Sequence, residues 1–172
     1  MGIRPVRDKL ELVGKSVKKN ISKNKLSEVS VAEIKPNLAD TAAFCEYYSI
    51  GNDVSANCIV VKAKRADKIW HAACIILATS RADINGVIRR QLDARKISFA
   101  PMDKAVALTP MEYGGITPIG LPEDWPILVD RAVANTTHVV IGSGLRKSKL
   151  LVLGNLFHKL PNTKVMDITL PS

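Results

Sequence analysis

Two β-rich runs, "NCIVVKAK" and "IWHAACIILAT", stand on either side of the short polar turn "RADK" (Arg65 to Lys68). Runs rich in β-branched and aromatic residues that flank a tight turn pair with each other as an antiparallel hairpin. The rest of the chain must pack around it. Upstream, "VSVAEI" (29 to 34) reads as a strand, Pro36 and Asn37 break it, and Asp40 stands where a helix through "TAAFCEYY" needs its N-cap. Downstream, "RADINGVIRRQL" has helical spacing with Asp83 as N-cap, "KISFA" is a short strand, and a helix starts at about Asp103. "PILVD", "HVVIGSG" and "KLLVLG" then read as strands, and "NLFHKL" as a last helical turn. This order is not a regular βα alternation. It predicts an α+β fold with a mixed, mostly antiparallel sheet, curled or closed into a partly open barrel, and helices around it.

At 172 residues the chain can bury one sizeable core. Cys45, Cys58 and Cys74 sit in apolar runs without a CxxC pair, as expected of reduced cysteines in the cytoplasm. His71, His138 and His158 are too scattered to suggest a metal site, so neither metal nor cofactor is expected. No apolar run reaches the ~18 residues of a membrane span. The net charge of +9 points to a polyanionic partner. That charge is concentrated at the start, where residues 1–28 carry eight basic residues, among them Lys15, Lys18 and Lys19, against three acidic ones. Leu10, Val13, Val17 and Ile21 recur there at helical spacing, so residues 1–28 read as a basic, amphipathic, helical arm and 29–172 as the domain proper.

Between the helix after Asp103 and the strand "PILVD" lies "YGGITPIG" (Tyr113 to Gly120). Three glycines in eight residues suit neither helix nor strand, each costing roughly 0.5–1 kcal/mol in such an interior. A loop of this kind either turns the chain or brings bare backbone close to a ligand, and Pro118 stiffens it. A second glycine turn, "GSG" (Gly142 to Gly144), ends a later strand. Neither a GxSxG elbow nor a GxxxxGK[ST] loop is present, which argues against a serine triad and a nucleotide-binding P-loop. His71, within an apolar strand, reads as a packed residue.

The ordered set "DINGVIRRQLDARKISFAPMDKAVALTPMEYGGITPIGLP", "PILVDRAV" and "VVIGSG" resembles the YbaK/prolyl-tRNA-synthetase-associated domain family, the aminoacyl-tRNA editing deacylases, over roughly residues 35 to 168. Its most specific element is GxxxP, met by Gly114 and Pro118. The resemblance implies a YbaK-like fold and hydrolysis of the ester that joins a wrong amino acid to the 3′ end of a tRNA, tRNA for proline being one candidate. It implies tRNA as partner, with association with an aminoacyl-tRNA synthetase as a further expectation. Stiff backbone can position a water and polarise an ester without a side-chain nucleophile, the substrate's own 2′-hydroxyl relaying the proton.

On this reading Gly114, Gly115, Pro118 and Asn57 form the catalytic set, and Ile116, Thr117, Gly142, Ser143, Gly144, Asp130 and Lys62 contact the substrate. Arg89, Arg90, Arg95 and Lys96, with Lys15, Lys18 and Lys19, meet the tRNA phosphates. The sequence departs from the family pattern at one point: Asn57 stands where many members carry a lysine, and Lys62 follows five residues later. Loss of that charge leaves two readings open, a deacylase with altered substrate choice and a module that holds acyl-tRNA but cleaves it poorly.

Overall fold

The computed structural model describes residues 2–171. The hairpin forms as the turn chemistry predicts: β3 (Ala56–Arg65) pairs with β4 (Lys68–Leu77) through ten residues, and Ala66 takes a positive φ of 52° in the turn. Strand β4 is buried continuously from Ala72 to Leu77, because a layer packs on each of its faces. Ala73, Ile75 and Leu77 enter the main core, while Ala72, Cys74 and Ile76 enter a second cluster.

Nine strands form two sheets among the described residues. The first runs β1 (Ile3–Pro5), β2 (Ser30–Glu33), β8 (Ser148–Leu153), β7 (His138–Gly142), all antiparallel. The second runs β5 (Lys96–Phe99), β3, β4, β6 (Ile127–Asp130), β9 (Thr163–Met166), with the last two junctions parallel. The fold is α+β and mostly antiparallel, as expected, but the sheets do not close into a barrel. Residues of both sheets share the main core, and one parallel bridge joins them, from Ser55, just before β3, to Val140 of β7.

Helices cover the outside. Asp83 caps the turn of π-helix at Ile84–Ile88, its carboxylate accepting from the N–H groups of Gly86 and Val87 at 3.1 Å each. The short α3 (Arg89–Gln91) continues it. Asp40 occupies the N-cap position of α2 (Thr41–Tyr48), yet its side chain makes no cap bond. α4 spans Met102–Leu108 and α5 spans Arg131–Ala134.

The N-terminal segment differs from the expected continuous helix. Only α1 (Lys15–Lys23) is α-helical, preceded by β1 and two 3₁₀ turns. Nor does the segment stand beside the domain. Val6, Val13, Val17, Ile21 and Leu26 are buried in the main core with residues of both sheets. The Gly14 N–H donates to the Ser143 carbonyl at 2.9 Å, and the Ser148 hydroxyl donates to the Leu12 carbonyl. Lys15, Lys18 and Lys19 remain exposed on the outer face of α1, as an amphipathic helix requires.

Candidate active site

Strand β5 pairs with β3 only from Val61 to Lys64, and among the described residues β7 makes its one backbone bridge to this segment at Ser55, just before β3 begins. Between these two contacts the edge of β3 is open. The Val60 carbonyl on this side accepts from the Ala100 N–H. Backbone polarity alternates along a strand, so the N–H and C=O of Cys58 face the same gap. A cleft of about 340 Å³ fills it, walled by residues 56–59 of β3, Asp40 and Thr41, Met102, Gly114 and Ile116, Gly142, and Lys149.

The glycine loop forms one wall, and its glycines are required by contacts within the protein. A Cβ on Gly114, whose φ is +77°, would lie 2.6 Å from Arg146 Nη1 and 2.9 Å from Asp40 Oδ1. On Gly115 it would lie 2.9 Å from the Leu145 carbonyl oxygen, and on Gly142 it would lie 2.6 and 2.7 Å from the carbonyl oxygens of Gly115 and Ile116. Gly115 also commits both backbone groups: its N–H donates to Glu112 O at 2.9 Å, and its carbonyl accepts from Gly144 N at 2.7 Å. By contrast, the N–H groups of Gly114 and Ile116 have no protein acceptor among the described residues. The bare backbone on offer is therefore at 114 and 116. Arg146 fastens this loop from outside, donating to Tyr113 O at 2.7 Å and Pro36 O at 3.1 Å, with Asp40 at 3.7 Å. Asp40 thus sits beside Arg146 and makes no cap bond to α2.

Asn57 faces the cleft, and its Oδ1 accepts from the Thr41 hydroxyl at 2.5 Å. The other residues expected at the site disperse. Pro118 is buried behind the loop and lines a separate cleft with Leu121 and Trp125. Thr117 is fully buried, its N–H directed at Met111 Sδ. The Ser143 hydroxyl lies 2.7 Å from the Ser148 hydroxyl inside the protein, and Gly144, at φ +87°, packs against Gly14 and Val17. Asp130 is buried at the end of β6, accepting from Ile168 N at 3.0 Å and Ala132 N at 3.4 Å. These five serve the fold.

Lys62 lies five residues from Asn57 along β3, about 16 Å away and on the opposite face. It lines a basic groove with Lys64, Asn85, Arg89, Arg95 and Lys96, and Arg90 is exposed on the adjoining α3. His71, across the ladder from Lys62, stacks on Trp125 at 5.5 Å, as a packed histidine does, and burial lowers its pKa.

Sequence reasoning missed Lys149. Its strand is visible in "KLLVLG", but nothing local marks a lysine at the strand start as buried. The side chain is 7% exposed, and burial pushes its pKa down to about 8, with nearby Asp40 acting in the opposite direction. Cys58 also lines the cleft, and burial raises its thiol pKa above the ordinary value, which disfavours the thiolate.

Among the described residues no helix is long and apolar enough to cross a membrane. No curated protein sequence matches the chain significantly. In solved structures the fold recurs. A candidate trans-editing enzyme for prolyl-tRNA synthetase superposes with a TM-score of 0.77 at 14% identity, over 92% of this chain and 99% of the other. A hypothetical protein gives 0.79 at 19% identity, over 91% and 100%. A candidate signal transduction protein from Marinobacter aquaeolei VT8 gives 0.61 at 14% identity, over 92% of this chain but 31% of that one. Likeness at such identities establishes the fold and no more. The sequence carries the assignment further: a model of the aminoacyl-tRNA editing domain matches residues 35–160, which include the open edge of β3, the glycine loop and Lys149, and on that match the chain belongs to the aminoacyl-tRNA editing domain family.

Proposed function

We propose that this protein hydrolyses the ester between an amino acid and the 3′ end of a mischarged tRNA, acting in trans in the cytoplasm. The observation that carries this reading is the cleft wall itself: Gly114 and Ile116 line it, their N–H groups have no protein acceptor among the described residues, and Arg146 and Gly144 pin their loop in place. Donors fixed before the substrate arrives stabilise charge as it develops on an ester oxygen without reorganising. No side chain in the cleft offers a ready nucleophile, since Cys58 remains a thiol. Water adds to the ester carbonyl carbon, the bond to the ribose oxygen breaks, and free amino acid and a 3′-hydroxyl end leave. The substrate's neighbouring 2′-hydroxyl relays the proton.

The body of the tRNA then follows the basic groove of Lys62, Lys64, Arg89, Arg95 and Lys96, where phosphate contacts position without reading sequence. Prolyl tRNA is the first candidate, since the structural relative is described as trans-editing for that synthetase, and association with a synthetase belongs to the same proposal. A second reading, a module that binds acyl-tRNA without cleaving it, is favoured by Asn57 in place of a lysine. A panel of mischarged tRNAs separates the two. Enzyme-dependent loss of at least one aminoacyl bond is expected; binding of acyl-tRNA with no loss across the panel would establish the second reading instead.

A further inference from the structure

Lys149 is an unusual residue to bury. It pairs with Gly142 across the β7–β8 ladder, and directly opposed residues project to the same face. Its side chain therefore leaves the sheet where the carbonyls of Gly115 and Ile116 sit against Gly142. Nζ donates to Ala39 O at 2.7 Å and lies 5.3 Å from the centre of the Phe44 ring. A buried ammonium is costly without a counter-charge, and swapping such a group for an apolar residue often stabilises. Here the counter-charge is spent elsewhere. Among the described residues no carboxylate lies within 4.0 Å of Nζ, and the nearby Asp40 pairs with Arg146. An ammonium has three donors, and only one finds a protein acceptor.

We propose that Lys149 is the charged anchor of the cleft, its two unspent N–H donors binding an oxygen of the ester-bearing 3′-terminal nucleotide. The cation of this pocket then comes from β8, opposite the β3 wall where Asn57 supplies a neutral amide. The inference rests on the acyl-tRNA reading of the site. Asp40 from the loop before α2, Cys45 from α2, Arg146 from the turn before β8 and Cys58 from β3 are the other titratable or charged groups around it. With its pKa held near 8 by burial, Lys149 carries charge at pH 7 and loses it by pH 9 unless a bound anion retains it.

The test uses the full-length protein, the variants Lys149→Met and Lys149→Gln, and adenosine 5′-monophosphate bearing a 3′-aminoacyl amide, which resists hydrolysis and keeps the nucleotide's phosphate. Affinity is measured by calorimetry at pH 7 and pH 9, next to turnover of aminoacyl-tRNA and a thermal melt. Both variants are expected to fold, the glutamine retaining a donor for Ala39 O, and to bind the amide at least tenfold more weakly at pH 7. The ratio of wild-type to variant affinity should fall toward one at pH 9, a ratio in which titration of the probe's own α-amine cancels. A rescue that no structural role explains is also expected: Asn57→Lys added to Lys149→Met returns a cation to the cleft and recovers part of the affinity. Should either folded variant bind the amide within twofold of wild type, Lys149 is only a structural anchor and the proposal is overturned, whatever the turnover. Loss of binding in the variants, alongside a wild type that cleaves no aminoacyl-tRNA, upholds Lys149 and removes the hydrolase reading. Wild type that fails to bind the amide overturns the proposal.

Discussion

Gly142→Ala adds one methyl group, and the structure says where it goes. The new Cβ would sit 2.6 Å from Gly115 O and 2.7 Å from Ile116 O, against an ordinary contact of 3.4 Å or more, so the loop must retreat by roughly 0.8 Å. Neither obstacle can rotate away, because both are backbone carbonyls. Nor can the loop swing freely, since the Gly115 carbonyl is held by Gly144 N at 2.7 Å and its N–H by Glu112 O at 2.9 Å. Gly142 does not have a positive φ, so the cost is steric alone. Overpacking by one methyl costs about 1–3 kcal/mol. At about 2–4 °C per kcal/mol for a domain of this size, Tm should fall by about 2–12 °C. The same retreat carries the N–H groups of Gly114 and Ile116 off their positions, and a misplacement near 1 Å can cost about 10²-fold in rate. Melting followed by circular dichroism gives the first quantity, and single-turnover deacylation well below Tm gives the second. Gly120→Ala is the control. Its Cβ would lie 2.6 Å from the Ser16 backbone at a φ of +98°, away from the cleft, so it should lose stability at least as much without a comparable loss of rate. Wild-type Tm and wild-type rate in Gly142→Ala would refute the reasoning; a lower Tm with an unchanged rate would refute the role given to the loop.

Deleting residues 1 to 28 should prevent folding: Val6, Val13, Val17, Ile21 and Leu26 leave the main core with it, and at about 1.5–3 kcal/mol for each buried side chain the loss matches a domain's whole stability of about 5–15 kcal/mol. A native far-ultraviolet spectrum and a cooperative melt from the truncated chain would contradict this. Replacing Arg95 and Lys96 by alanine should weaken tRNA binding and make the slope of log affinity against log salt shallower by about 0.7–0.9 for each phosphate no longer neutralised, as measured by filter binding over a salt series. An unchanged slope would mean that the groove does not meet phosphate. The depressed pKa of Lys149 also fixes a sign. Below about pH 8 the folded state bears a buried charge, and between about pH 8 and 10.5 it sheds a proton that the unfolded chain keeps, so this group's penalty is relieved as pH rises. Cys58 and Cys74, whose thiol pKa values burial raises, act the opposite way, so the clean observable is a difference. The stability advantage of Lys149→Met over wild type, up to about 3 kcal/mol at pH 7, should shrink in urea melts as pH goes from 7.5 to 10.

The β3–β4 hairpin, the Asp83 cap and the strands of "PILVD", "HVVIGSG" and "KLLVLG" were legible in sequence because each is specified within a few residues, by β-branched runs, turn residues or a carboxylate ahead of free N–H groups. So was the presence of a shaped glycine loop. Strands β1 and β9 were not, since three or four residues carry no usable period and become strands only when β2 and β6 pair with them. The roles of individual site residues depended on tertiary structure still more. Gly114, Gly115 and Gly142 are glycines because Arg146, Leu145 and the loop's own carbonyls press on them, and those neighbours come from distant or non-adjacent segments. Pro118 and Thr117, beside Ile116 in sequence, face away from the cleft that Ile116 lines. Lys149 shows the limit most plainly. Its charge is written in the sequence, but its burial is set by β7, α2 and the glycine loop closing around it, and desolvation, the property that makes it chemically interesting, exists only once those elements have packed.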